Sequence, residues 1–152
     1  MGACLTNCSP QPSTCPKRTW SPRLAAFAGE QARELKIGGS ANPELVPLLR
    51  ERIGNDEVGI VLGAVTVVDE DGDRARALAR ERVAMYVDVV ARHDPTQPRE
   101  DDLQRFAFAG TPDEVAAQAE ALFEAGALRV DFGVVHGFEL LCREVVPAIA
   151  IV

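Results

Sequence analysis

Few side chains in this 152-residue sequence are of types that do chemistry, and their spacing narrows the choices. The histidines are His93 and His136; the cysteines are Cys4, Cys8, Cys15 and Cys142. The spacing C-x3-C-x6-C at the start is not that of zinc ligands, which come in C-x2-C pairs, and no histidine lies nearby. Asp69, Asp71 and Asp73 resemble the opening of an acidic calcium loop, but the residue at its closing position is Arg80. Carboxylates there suit a helix N-terminus, whose dipole favours negative charge. No metal set is expected. Nor does any Cys, His and Asp combination mark a nucleophile, and Cys142 is expected to pack inside the last helix. No catalytic residue is assigned.

Two segments remain. Gly38, Gly39 and Ser40 stand just before Asn42-Pro43. Backbone N–H groups ahead of a helix can hold a phosphate. The same residues also make a tight strand-to-helix turn with an asparagine cap. The segment is neither a Walker loop nor a G-x-G-x-x-G turn. The second segment is Gly133-Val134-Val135-His136-Gly137. His136 ends an apolar strand, where it could donate to a ligand, carry a proton, or bond its own loop. His93 falls at a helix end, where capping or the dipole accounts for it.

The elements that carry these segments follow from periodicity. Leu24, Phe27, Ala28, Ala32 and Leu35 recur at helical spacing after Pro22, a residue favoured in a first turn. Residues 35–38 read as a short strand running into the glycines. Asn42 as N-cap and Pro43 at the first helical position open a helix, with the stripe Leu45, Leu48, Leu49 and Ile53 and a stop at Gly54. Residues 58–68 are apolar without alternation, which predicts a parallel strand covered on both faces. One helix is expected from the acidic run to His93, because Pro95 cannot continue it. Residues 94–105 read as a loop or a short helical turn. Thr111-Pro112-Asp113-Glu114 is a capping box, the strongest local signal in the chain. Residues 128–135 form a third buried strand, and a last helix carries Phe138, Leu141, Val145 and Val146. Strands alternating with helices predict a parallel α/β sheet, and three strands alone would leave open edges.

Composition sets the outer bounds. Lys+Arg number 16 and Asp+Glu 23, a formal charge of −7, which argues against a nucleic-acid partner. No apolar run approaches the ~18 residues of a membrane span, and no leader pattern is present, so a cytoplasmic location is expected. Arginine dominates over lysine, a usage typical of high-GC bacterial genes. Hydrophobic residues at 47% and charged residues at 26% fit a folded domain with one core. The chain is well short of the ~250 residues of a closed (β/α)8 barrel. Residues 1–21 carry Pro10, Pro12 and Pro16 and are expected to form a disordered tail ahead of a domain over 22–152. Gly2, Cys4 and Thr6 match an acylation pattern too short to outweigh chance.

Four motifs now stand in order: 36–43 (KIGGSANP), 63–75 (GAVTVVDEDGDRA), 108–114 (FAGTPDE) and 132–137 (FGVVHG). Together they resemble the C-terminal half of luciferase-like flavin and deazaflavin oxidoreductases, in particular methylenetetrahydromethanopterin reductase and its bacterial relatives. The resemblance spans residues 22–149 and implies a partial (β/α)8 barrel, roughly strands six to eight with their helices. It implies coenzyme F420 or FMN as cofactor and a small organic substrate for reduction or oxygenation. Gly38, Gly39 and Ser40 are the positions that could meet the cofactor phosphates; Gly133 and His136 border the same mouth. The family's N-terminal half has no counterpart here, which implies a truncated gene, a wrong start or a fused remnant. It also implies association with a second copy or a complementary half-barrel. Val134-Val135 stand where relatives often carry Thr-Pro or Ser-Pro.

Overall fold

A computed structural model describes residues 21–149. The cysteines at 4, 8 and 15 and the tail expected over 1–21 lie outside the described residues, except Ser21. That residue belongs to the domain: its Oγ accepts from the Leu24 N–H at 3.2 Å and caps α1 (Pro22–Gln31), with the proline in the first turn.

β1 (Glu34–Gly38) leads through the glycine turn to α2 (Leu45–Ile53). Gly54 ends α2 with φ 65°, the left-handed stop expected of it. The start differs from expectation, because α2 begins after Asn42-Pro43. Asn42 instead makes a turn, its Oδ1 accepting from the Glu44 N–H at 3.1 Å. Its side chain is needed for contacts across the fold, described below.

β2 (Gly59–Val68) is the axis of the sheet, and all ten of its residues are buried. It pairs in parallel with β1, from Glu34 opposite Gly59 to Gly38 opposite Gly63. α3 (Gly72–Val83) follows, capped by Asp71, whose Oδ1 accepts from the Asp73 and Arg74 N–H groups. The single helix expected to His93 is broken: the chain leaves helical geometry around Tyr86 and restarts as α4 (Val87–His93). The break turns the Tyr86 ring onto Gly39 and lets its hydroxyl donate to the Phe106 carbonyl at 3.2 Å. A 3-10 turn at Leu103–Arg105 leads into β3 (Ala107–Gly110), a fourth strand that periodicity did not anticipate. Four residues are too few to show a period; their pairing with Val65–Val68 makes them a strand.

α5 (Pro112–Glu124) carries the full capping box: Thr111 Oγ accepts from the Glu114 N–H at 3.4 Å, and Glu114 Oε2 from the Thr111 N–H at 2.8 Å. β4 (Arg129–His136) then pairs in parallel with β2. A final helical stretch, Phe138–Ala148, contains a π-helical turn at Leu141–Val145 just ahead of Pro147, which lacks the donor a regular turn needs. Cys142 is exposed on it, contrary to the packed position expected.

Val61, Leu62 and Gly63 each have partners in both β1 and β4, so these strands flank β2. The order β1-β2-β4 is that of consecutive strands in a barrel wall. β3 continues the β1 side at the C-terminal end of β2, since Val65 and Val67 have partners in both β3 and β4. One face of the sheet, with Leu35, Ile37, Leu62, Val130 and Phe132, packs on α1, α2, α5 and the last helix. On the opposite face of β2, Val65 and Val67 pack in a second cluster with residues of α3, α4, the 3-10 turn and β3. β4 is half-exposed rather than buried, because among the described residues it has a strand on one side only.

Candidate functional site

Strand alternation puts Lys36 and Gly38 of β1, Gly63 and Val65 of β2, and Asp131 and Gly133 of β4 on one face. This face looks inward in a barrel. An open cleft of about 440 Å³ lies on it. Gly38, Gly63 and Gly133 form its floor, Tyr86 just before α4 and Val90 within it one wall, and Val134 another.

The three floor glycines are bare for different reasons. A methyl at Gly63 would stand 3.0 Å from Asp131 Cβ, and one at Gly133 would stand 3.1 Å from the Ala64 carbonyl oxygen, so close strand packing requires both. A methyl at Gly38 would meet nothing within 4 Å and its φ is ordinary, so neither packing nor backbone explains that glycine. Its effect is to leave the cleft open.

Below the floor, charges alternate across the sheet. Glu34 pairs with Arg129 at 3.0 Å, Arg129 with Asp131 at 3.2 Å, and Asp131 with Lys36 at 2.6 Å. The side chains of β1 and β4 reach each other over β2 at Gly63, where Asp131 and Lys36 take the space that a side chain there would fill; over Gly59 that space is taken by Leu128. The Lys36 ammonium beside Asp131, reinforced by Arg129, holds its carboxyl below the ordinary carboxylate value. Burial pushes the Tyr86 phenol up.

Of the positions singled out from sequence, Gly38, Gly39 and Gly133 line the cleft. Ser40 does not: it is fully buried, and its Oγ accepts from the Asn42 N–H at 3.3 Å. The Gly39 and Ser40 N–H groups both donate to the Gly63 carbonyl, at 2.7 and 3.2 Å, and Ala41 N–H donates to the Arg105 carbonyl at 2.9 Å. In this conformation the N–H groups of 39–42 all have hydrogen-bond partners within the fold. His136 lies half-buried opposite Val67, outside the cleft, with no side-chain hydrogen bond among the described residues. The His93 ring nitrogen Nδ1 sits 2.6 Å from the Val89 carbonyl, a contact within its own helix.

Lys36, Gly63, Tyr86, Asp131 and Val134 were missed from sequence. A lysine inside an apolar strand and a glycine in the middle of a buried one were the available signals. Tyr86 and Val134 needed tertiary structure, since each depends on a local departure from regular geometry.

Asp69 and Asp71 are not placed as ligands. Asp69 holds Arg74 at 2.6 Å, and Asp71 caps α3. Among the described residues no group of three or more His, Cys, Asp or Glu side chains could hold a metal.

The architecture is an α/β fold with a parallel sheet and helices, and it matches about half of the fold of several solved structures. No protein-family model matches the sequence, and no curated protein matches it. Solved structures do. The coenzyme F420-dependent tetrahydromethanopterin reductase of Methanopyrus kandleri matches with a TM-score of 0.67 and 24% identity, over 86% of this chain and 49% of that one. An F420-dependent secondary alcohol dehydrogenase, solved with an F420-acetone adduct, matches with a TM-score of 0.63 and 18% identity, over 85% and 46%. The oxygenating constituent of 3,6-diketocamphane monooxygenase from Pseudomonas putida, a type II Baeyer–Villiger enzyme solved with FMN, matches with a TM-score of 0.52 and 17% identity, over 83% and 45%. The chain spans about half the length of these structures.

Proposed function

We propose that this chain forms the C-terminal half of a luciferase-like barrel that uses coenzyme F420 or FMN to reduce or oxygenate a small organic substrate. A second half-barrel is needed for activity. The observation that carries the reading is the cleft on the inward face, floored by Gly38, Gly63 and Gly133 and open to a flat group. The names of the structural neighbours supply the chemistry. This chain offers part of a wall for a planar ring, and its N–H groups at residues 39–42 are already hydrogen-bonded within the fold, so it should hold neither cofactor tightly alone.

A second reading is a non-catalytic half-barrel that serves as an interaction module. The committed N–H groups of 39–42 and the one-sided pairing of β1 and β4 favour it.

Fluorescence titration of the full chain with FMN and, separately, with F420 tests both. The expected dissociation constants are weaker than about 100 μM, or about 5.5 kcal/mol. Addition of the N-terminal half of a structural neighbour should tighten them and allow turnover. Absence of binding with that half present would leave the module. Tight binding by the monomer would remove the need for a second half.

A further inference from the structure

Val134 is held where its sequence neighbours give no reason for a valine. Its φ is 44°, a left-handed value that β-branched residues rarely adopt. The cause is a bulge. Gly133 pairs with Val65 and His136 with Val67, so β4 takes three steps where β2 takes two. Both flanks are pinned by glycines lying tight on β2. A methyl at Gly133 would stand 3.1 Å from the Ala64 carbonyl oxygen, and one at Gly137 would stand 2.0 Å from that of Val68. The strained position therefore cannot move along the strand.

Packing does not require the isopropyl group at that point. Val134 is 68% exposed. Glycine would take the same backbone without strain, as it does at Gly137, where φ is 80°. What the valine does have is position: it stands in the cleft wall, across from Tyr86 and Val90 and beside the open space over Gly38. Bulges next to sites commonly re-aim a side chain, and strain persists where the surroundings over-determine it.

We infer that Val134 is a specificity-determining wall of the cleft, its methyls packing on the apolar face of a bound planar ring. The inference rests on the reading given under Proposed function, with the isoalloxazine of FMN as the ring to test. The valine sets the clearance between β4 and α4 and so selects how thick and how substituted a ring can enter.

The test uses the full chain with carbon-13 labelled valine methyls and FMN raised to about 1 mM, the range in which a half-site binds. The Val134 methyl signals should shift with FMN, and those of Val146, exposed on the last helix, should not. Val134→Gly should melt at a higher temperature than the natural chain, because strain is relieved. It should also bind FMN at least about fivefold more weakly, the loss expected for an isopropyl contact of modest burial. Val134→Ala should fall between in affinity.

Val134→Gly binding FMN as well as the natural chain, whatever its melting temperature, would overturn the inference and leave the oxidoreductase reading standing. A Val134→Gly chain that is less stable would assign the valine to packing and likewise overturn it. No FMN or F420 binding by the natural chain, with and without a complementary half, would overturn both.

Discussion

Asn42 joins two charges that do not touch. Its Nδ2 donates to Asp94 Oδ2 at 3.1 Å and to Thr96 Oγ1 at 2.8 Å, while its Oδ1 accepts from the Arg105 guanidinium. Asn42 is fully buried and Asp94 nearly so. Asn42→Ala removes these buried hydrogen bonds, although Arg105 keeps Glu44 and Asp102 and Asp94 keeps Thr96, and should cost about 1–2 kcal/mol. Urea unfolding measures this, and a loss below about 0.5 kcal/mol, the usual size of a surface substitution, would contradict the network. Asp131 makes a different prediction. Its carboxyl is held below the ordinary value of 3.8 by Lys36. Between the folded value and the ordinary one, the unfolded chain binds a proton that the folded chain does not. Its contribution is therefore complete above about pH 4 and lost as pH falls through the folded value. Thermal melts from neutral pH downward should show a shallower acid decline for Asp131→Asn than for the natural chain. Parallel curves would mean that the pair contributes nothing.

At the scale of elements, α5 is the most locally specified part of the molecule. Thr111→Ala removes one reciprocal cap bond and should cost about 1 kcal/mol. Asp113→Asn should cost less, since its dipole interaction is exposed and screened. Denaturant melts with equal or reversed losses would contradict the assignment. α5 was legible because a capping box, a proline and an apolar stripe agree with one another. β2 was legible because an unalternating β-branched run fits little else than a strand covered on both faces. β3 and the break between α3 and α4 were not, for a shared reason. Each exists through partners far along the chain: β3 pairs with Val65–Val68, and Tyr86 is drawn to Gly39 and to the Phe106 carbonyl. Local periodicity carries no trace of such partners.

The whole molecule presents a sheet whose outer strands have partners on one side only among the described residues. Unpaired strand edges favour pairing with another chain. The chain should therefore associate with concentration, or with a complementary half-barrel, in sedimentation velocity runs. A monomer at every concentration, indifferent to such a half, would argue that the edges are shielded. Among the described residues no helix is long and apolar enough to cross a membrane.

The sequence alone determined the strand at the centre of the sheet, α5 with its capping box, the parallel α/β class and the barrel resemblance, because those rest on residues close together in the chain. Gly38 and Gly133 were also found from sequence, and the structure places both in one cleft. Tertiary structure alone decided that Ser40 turns into the core, that the N–H groups after Gly38 are committed to Gly63 and Arg105, and that Val134 stands strained at the cleft wall. It alone set Lys36 against Asp131. Each of those outcomes depends on register between strands distant in sequence. A shift of one residue would turn Lys36 and Asp131 to the helix-covered face and Leu35 and Phe132 into the cleft.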